Sequence, residues 1–165
     1  MAKVIMFSRQ FPAYHPKAGQ PTDFVAKFWA NKDIKILNDS VNLLQEDYTM
    51  YQKLRESLHP KRHTIRAGNR FKKGDFFSPR VWSGKPYYSK QIIISPDTEV
   101  LQTWDFEITK YGVVIINNNT VGTEPKNRIE KIAANDGLSR EDFENWFSVL
   151  PFKGQIICWN PNVNY

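Results

Sequence analysis

The sequence changes character at residues 59–75, which read HPKRHTIRAGNRFKKGD. Eight of these seventeen residues are Lys, Arg or His, and the only acidic one is Asp75. Within the stretch, the alternation HTIR at residues 63–66 predicts a β-strand, because successive strand side chains point to opposite faces. A strand that carries a hydroxyl and several cations is compatible with a solvated surface, an anion-binding surface or an active site.

The chain as a whole has the composition of a folded protein. Its 165 residues are 41% hydrophobic and 14% aromatic, which suits a single domain over residues 1–165 and argues against disorder. No apolar run reaches the roughly 18 residues that a membrane helix needs, and the first residues do not resemble a secretory signal. The single cysteine, Cys158, predicts a buried thiol in a reducing cytoplasm.

The positive charge is concentrated in one fifth of the chain. Residues 59–90 contain nine Lys or Arg against one acidic residue, whereas the remainder contains fourteen against sixteen. Such a segregated patch attracts phosphates. A solvated basic surface is the simpler interpretation, but aromatic residues that could stack on bases are interleaved with the cations: Phe71, Phe76, Phe77, Trp82, Tyr87 and Tyr88.

The first part of the chain is predicted to be mainly helical. After a short strand over residues 4–7, Pro21-Thr22-Asp23 opens a helix with an apolar stripe, and a second helical stretch is predicted between residues 40 and 58. From residue 61 the pattern alternates with period two, and strands are predicted at residues 63–66, 76–82, 91–95, 99–108, 113–117 and 154–159.

Two helices are predicted before the last strand. One covers residues 125–135 and ends towards Gly137, and the other is capped by Ser139. The second is expected to bury Phe143, Trp146, Phe147 and Leu150. The predicted fold class is therefore α+β, a small, partly closed and mostly antiparallel β-barrel with flanking helices.

Several kinds of site are not predicted. The three histidines, His15, His59 and His63, are scattered, and the chain has neither a cysteine pair nor an H-E-x-x-H spacing. A glycine-rich phosphate loop and a G-x-S-x-G elbow are also missing from the sequence. We therefore expect neither a metal nor an organic cofactor.

The cationic stretch resembles a known domain. The spacing K-x-x-T-x-R at residues 61–66, followed by FKKGD at residues 71–75, resembles the ASCH domains of the PUA-like superfamily, whose signature is commonly written G-x-K-x-x-E-x-R. Thr64 takes the place of the glutamate, and His59 stands where the glycine should be. The resemblance covers roughly residues 55–159 and implies a PUA-like barrel, with residues 1–50 as an N-terminal elaboration.

One branch of that family is more similar. The small bacterial amidohydrolases that deacetylate acetylcytidine carry K-T-I-T-I-R, close to KRHTIR at residues 61–66. In that branch the lysine, the threonine and a later glutamate are the catalytic groups. The resemblance therefore implies Lys61 and Thr64 as catalytic residues, with Asp136 at the position of the glutamate.

Lys61, Thr64 and Asp136 could act together in catalysis if their side chains line the same cavity. Lys61 could remove the proton of Thr64, provided that burial and the neighbouring cations Arg62, His63 and Arg66 lower the pKa of its amine. A carboxylate could protonate the leaving amine. Because period two places only Thr64 and Arg66 on one strand face, Lys61 must turn back from the preceding loop.

Three functions are compatible with these patterns, and the third is the least specific. The first is a nucleic-acid or nucleotide-binding module related to RNA, whose cations contact phosphate or base edges while aromatic rings stack. Its predicted contacts are Arg62, His63, Arg66, Arg70, Lys72, Lys73, Trp82 and Tyr87. The second is a metal-independent amidohydrolase acting on a modified nucleoside such as acetylcytidine. The third is an interaction protein whose basic face meets an acidic partner.

Overall fold

The computed structural model describes residues 1–120 and 126–165, with residues 126–127 described by their backbone alone. The described residues form two compact units. The first unit consists of Met1–Lys61 and Phe76–Glu99, and the second consists of Arg62–Asp75 and Val100–Tyr165.

The described residues contain five helices and nine strands. The helices are α1 (Phe24–Trp29), α2 (Asn38–Leu43), α3 (Gln45–Leu54), α4 (Lys126–Asn135) and α5 (Arg140–Trp146). The strands are β1 (Lys3–Met6), β2 (His63–Ala67), β3 (Phe76–Trp82), β4 (Gln91–Ile93), β5 (Thr98–Glu99), β6 (Gln102–Ile108), β7 (Val114–Ile116), β8 (Asn119–Thr120) and β9 (Phe152–Cys158).

The first unit is built on a four-stranded sheet in the order β1-β3-β4, with β5 also paired to β3. Strand β1 runs parallel to β3, whereas β4 and β5 run antiparallel to it. Helix α1 buries five of its six residues, and the indole nitrogen of Trp29 donates to the carbonyl of Ile94 at 2.8 Å. Its apolar stripe therefore forms the core of this unit, as the periodicity predicted.

The second unit is built on a five-stranded antiparallel sheet in the order β2-β9-β6-β7-β8. Strand β9 pairs with β6 along its whole length and with β2 on its other side. Because β9 is internal, its residues Ile156, Ile157 and Cys158 are fully buried. Helix α5 packs on this sheet through Phe143, whose ring lies 6.4 Å from that of Phe106 in β6.

The α+β class and the mostly antiparallel pairing are confirmed, but within the described ranges no closed barrel is found. The strand predicted over residues 99–108 divides, so that β5 pairs with β3 and β6 pairs with β9. The backbone at Val100 and Leu101 instead bonds to Asp75 and Cys158. Two separate sheets result where one barrel was predicted.

Other boundaries also differ from the prediction. The helical stretch over residues 40–58 consists of α2 and α3, which are separated at Leu44, where φ is −125° and ψ is 50°. Leu150 was predicted to be buried by the last helix, but α5 ends at Trp146 and Leu150 is 37% exposed. The predicted start of α4 at Pro125 lies outside the described residues.

Three local predictions are confirmed. The amide of Asp142 donates to the hydroxyl of Ser139 at 3.0 Å, which is the predicted helix cap. Gly137 follows α4 with φ of 80°, a conformation that favours glycine. Cys158 is a buried free thiol. Along the described chain, no helix has the length and apolar character to cross a membrane.

Candidate functional site

Two of the predicted site residues, His63 and Thr64, lie on strand β2 in the core of the second unit. His63, Thr64 and Ile65 are all buried, with His63 completely so. Thr64 lies opposite Ile157 and His63 lies opposite Cys158 in the pairing with β9. Since consecutive residues point to opposite faces, this start of the strand is covered on both sides.

A polar cluster surrounds His63, and we call it the His63 cluster. It consists of His63, Asn135, Asp136 and Tyr165. The Nε2 atom of His63 lies 2.7 Å from the hydroxyl of Tyr165, which also accepts from the amide of Asn135 at 2.9 Å. The Nδ1 atom of His63 lies 3.8 Å from a carboxylate oxygen of Asp136. The ring of His63 thus presents one nitrogen to the Tyr165 hydroxyl and the other to the Asp136 carboxylate.

Arg62 fastens the start of β2 to the end of α4. Its amide donates to the carbonyl of Asn135 at 2.7 Å, and its guanidinium donates to the side-chain oxygen of Asn135 at 3.2 Å. The carbonyl of Arg62 accepts from the Cys158 thiol at 3.4 Å. Arg62 therefore holds Asn135, a member of the His63 cluster, in place.

Asp136 lies immediately after α4 and is buried. Its amide continues the helical pattern by donating to the carbonyl of Ile132 at 3.0 Å. Its carboxylate also acts on Arg66: burial lowers the pKa of the Arg66 guanidinium, and the charge of Asp136 opposes that change. The structure thus brings the predicted residues His63 and Arg66 into electrostatic contact with Asp136.

Burial controls the titration of the neutral groups in this region. Burial raises the pKa of the Tyr165 hydroxyl, while the hydrogen bond from Asn135 acts in the opposite direction. Burial also raises the pKa of the Cys158 thiol to about 11. Both groups are therefore protonated at neutral pH, and neither is activated as a nucleophile.

Lys61 belongs to the first unit, whereas Thr64 and Asp136 belong to the second. Lys61 is only 1% exposed, and its ammonium lies 4.2 Å from the centroid of the Phe24 ring. Its amide donates to the carbonyl of Lys27 at 2.9 Å, and its carbonyl accepts from Asn31 at 2.8 Å. Two backbone hydrogen bonds and the Phe24 ring therefore fix both the main chain and the side chain of Lys61 in the first unit.

The other predicted cations of the second unit lie on a surface loop, residues 68–75, which we call the cationic loop. Arg70, Lys72 and Lys73 are exposed on it, and Phe71 is buried beneath it. The buried side chain of Gln155 holds the loop by accepting from the amides of Arg70 and Phe71, each at 2.8 Å. The same side chain donates to Asn69 and to the carbonyl of Phe71, each at 2.9 Å.

The two predicted stacking residues, Trp82 and Tyr87, lie in the first unit. Their ring centroids are 5.5 Å apart. Trp82 is half-buried, whereas Tyr87 is 86% exposed and has a positive φ of 67°. Tyr87 therefore presents nearly its whole ring to solvent, which stacking on a base would require.

Sequence reasoning missed Asn135, Gln155 and Tyr165. For Gln155 a signal was present, since a polar residue inside the apolar run of β9 must find hydrogen-bond partners. Asn135 directly precedes the predicted Asp136 and could have been included on that ground. Tyr165 lies in no periodic pattern, and its contact with His63 joins residues 102 positions apart.

No match is found when the chain is compared with protein-family models, with curated proteins and with solved structures. Among the described residues, no group of three or more His, Cys, Asp or Glu side chains is arranged to hold a metal ion.

Proposed function

We propose that the protein is an RNA-binding or nucleotide-binding module of the ASCH type in the PUA-like superfamily, acting in the cytoplasm, and that its cationic loop contacts the phosphates. The observation that carries this proposal is the way Gln155 holds the loop. Four hydrogen bonds join one buried side chain to the loop: three hold the backbone of Arg70 and Phe71, and the fourth holds the side chain of Asn69. The loop is therefore anchored below while its cations project outward.

Anchoring matters because a cation contributes more to binding when its backbone does not have to be ordered on association. Lys72 and Lys73 are both exposed, and each can neutralise a phosphate and release a condensed counterion. Asp75, the one acidic residue of residues 59–90, accepts from the amide of Lys72 at 3.1 Å. Its carboxylate thus caps the turn that presents the two lysines.

The test is retention of single-stranded RNA at increasing salt. Lys72→Ala combined with Lys73→Ala should reduce retention at low salt and should lower the salt slope by about one to two counterions. The matched control combines Lys110→Ala with Lys131→Ala, because these lysines are equally exposed in the same unit. Equal losses of RNA retention in both double variants would mean that RNA is attracted only by the diffuse positive charge of the protein.

Arg66 is unsuitable for this comparison, although it is a predicted contact. Burial lowers the pKa of its guanidinium and the charge of Asp136 acts on it, so its removal would disturb the core. Gln155→Leu is a better additional variant, since it leaves every cation in place while removing the loop anchors. If preorganisation matters, this variant should bind RNA more weakly than the wild type at the same net charge.

A metal-independent amidohydrolase is the second candidate, and one observation favours it. Lys61, Thr64 and Asp136, the three residues implied by the family resemblance, are only 1%, 4% and 5% exposed. Charged residues are rarely buried this completely without a specific role. Release of acetate from acetylcytidine by the purified protein tests this function directly.

A further inference from the structure

The connection between β3 and β4 in the first unit exposes two adjacent tyrosines. We call this connection, residues 83–90, the aromatic tip, and its residues 83–88 are all exposed. Tyr87 is 86% exposed and Tyr88 is 82% exposed. A single exposed apolar side chain is ordinary, whereas a group of them is typical of a surface that meets a protein or a membrane.

The backbone of the aromatic tip is fastened by its own hydrogen bonds. The hydroxyl of Ser89 accepts from the amide of Gly84 at 3.0 Å and donates to the carbonyl of Lys85 at 2.9 Å. The amide of Tyr88 donates to the same carbonyl at 3.2 Å. Tyr87 has a φ of 67°, a left-handed conformation that is rare for a bulky residue. Because this backbone is already ordered, its rings can bind a partner at a smaller entropic cost.

The charge around the aromatic tip is positive only. From residue 76 to residue 96 the chain carries three cations, Arg80, Lys85 and Lys90, and no acidic residue. The ammonium of Lys85 lies 4.8 Å from the centroid of the Tyr88 ring. Among the described residues, none of the three cations forms an ion pair with a carboxylate. The tip therefore favours an anionic partner.

The shape of the aromatic tip favours a lipid surface over other anionic partners. Sites for peptides and for single-stranded nucleic acids are grooves that enclose what they bind. Residues 83–88 are instead exposed throughout. An exposed tip can enter the headgroup region of a bilayer, where tyrosine is enriched because its ring is apolar and its hydroxyl is polar.

We propose that the aromatic tip binds the surface of an anionic phospholipid membrane. Tyr87 and Tyr88 lie at the level of the headgroups, and Lys85 and Lys90 contact the anionic lipids that give the cytoplasmic leaflet its negative potential. Two rings and two lysines suit a reversible contact. This function goes beyond RNA binding and does not depend on it, since the cationic loop belongs to the second unit.

Co-sedimentation of the full chain with vesicles tests the proposal. Phosphatidylcholine vesicles that contain about 30% phosphatidylserine should bind the protein, and vesicles of phosphatidylcholine alone should not. Tyr87→Asn combined with Tyr88→Ser should weaken partitioning by about tenfold or more at an unchanged net charge. Asparagine is chosen at residue 87 because it tolerates the left-handed conformation.

The second unit offers a matched control for each part of the tip. Tyr111 is 80% exposed, and the ammonium of Lys110 lies 4.9 Å from its ring centroid. Tyr88→Ser should therefore weaken partitioning while Tyr111→Ser should not, and Tyr88→Trp should bind at least as well as the wild type.

The lysines of the aromatic tip are compared with those of the cationic loop. Lys85→Gln combined with Lys90→Gln should weaken partitioning by about twentyfold, because both lysines lie near the lipid surface. Lys72→Gln combined with Lys73→Gln removes the same charge and should have a much smaller effect.

Four results would overturn the proposal. They are no sedimentation with the anionic vesicles, equal losses for Tyr88→Ser and Tyr111→Ser, and equal losses for the two lysine pairs, which would indicate only diffuse charge attraction. The fourth is a tyrosine double variant that loses RNA retention but keeps vesicle binding, since the rings would then stack on RNA.

The wild type gives a measurement that does not depend on the folding of a variant. In hydroxyl-radical footprinting, anionic vesicles should protect Tyr87 and Tyr88 from oxidation and leave Tyr111 reactive. Unprotected Tyr87 and Tyr88 in vesicle-bound protein would contradict the proposal. The RNA proposal is decided separately, because its test depends on Lys72 and Lys73.

Discussion

Residues 62–66 and residues 68–75 both belong to the cationic stretch, yet their surroundings are opposite. In the first region His63 and Thr64 are buried, and Arg62 is bonded to Asn135. In the second region Arg70, Lys72 and Lys73 are exposed above a buried Phe71. Burial makes the first region sensitive to every change of shape or charge, whereas the second tolerates substitution.

The comparison shows how one run of cations can serve two purposes. Buried polar groups require partners, and the His63 cluster supplies them through Tyr165, Asn135 and Asp136. Exposed cations require only that their backbone be held, and Gln155 does this. The buried region therefore suits specific recognition or chemistry, and the loop suits electrostatic attraction.

The largest expected effect concerns three buried residues, Lys61, Thr64 of the buried region and Asp136, if the protein is an amidohydrolase. Thr64→Ala should abolish acetate release from acetylcytidine by removing the nucleophile, and Lys61→Ala should do so by removing the base. Lys61→Arg should also be inactive, because a guanidinium stays protonated. Asp136→Glu should preserve or raise the rate, since glutamate restores the longer side chain of the resembling family. The measurement is acetate released per protein at fixed substrate.

The cationic loop provides the control for that experiment. Lys72→Ala should leave acetate release nearly unchanged, because the side chain is exposed and the substrate is a neutral nucleoside. Acetate release that survives both Thr64→Ala and Lys61→Ala would rule out this mechanism. An inactive wild type would leave RNA or nucleotide binding as the function of the region.

Substitutions of Gly154, which lies beside β2, and of Gly74 in the cationic loop compare how strongly the two regions affect the free energy of unfolding. A Cβ atom added to Gly154 would clash with the backbone carbonyl of Arg66, where β2 pairs with β9. Gly154→Ala should therefore lower the free energy of unfolding by about 3 kcal/mol or more. Gly74 of the cationic loop has φ of 85° but open space around it, so Gly74→Ala should cost only about 1 kcal/mol.

Denaturant unfolding of the two variants checks this expectation. Gly74→Asn serves as a further control, because asparagine tolerates the left-handed conformation better than alanine does. Equal losses for Gly154→Ala and Gly74→Ala would mean that the pairing of β2 with β9 tolerates displacement. In that case the buried region would be less rigid than its packing indicates.

Much of the local structure could be predicted from the sequence. Strand β3 has the predicted bounds, since turn residues flank it on both sides. The caps at Gly137 and Ser139 depend on residue type and neighbouring positions alone, and they were predicted for that reason. The buried thiol of Cys158 followed from its apolar neighbours.

What the sequence could not provide is the choice of long-range partners. Residues 98–108 contain no turn signal at Val100 and Leu101, yet the strands on either side of these two residues pair in different sheets. Strand pairing depends on the whole fold, and within the described residues the strands form two sheets with no closed barrel found. The His63 cluster is likewise formed by residues that are far apart in sequence, and only folding brings them together.

The smallest expected effect is a loss of stability at alkaline pH that arises in the buried region. Burial raises the pKa of the Cys158 thiol to about 11, so the folded state keeps a proton that the unfolded state loses. The stabilisation is fully present below the pKa of the unfolded thiol, about 8.5, and is lost as pH rises through about 11. Between about pH 8 and about pH 10 the free energy of unfolding should therefore fall by about 1 to 2 kcal/mol because of Cys158. In Cys158→Ala, unfolding followed at about pH 8 and about pH 10 should show a smaller fall than in the wild type.

Tyr165, whose pKa burial also raises, accounts for part of the fall that remains, so the combination with Tyr165→Phe should flatten the profile further. Lys73→Ala is the control from the exposed loop and should leave the profile unchanged. A wild-type profile that is already flat would mean that water reaches the thiol, and the contrast between a buried and an exposed region would then be weaker than the packing of β2 and β9 indicates.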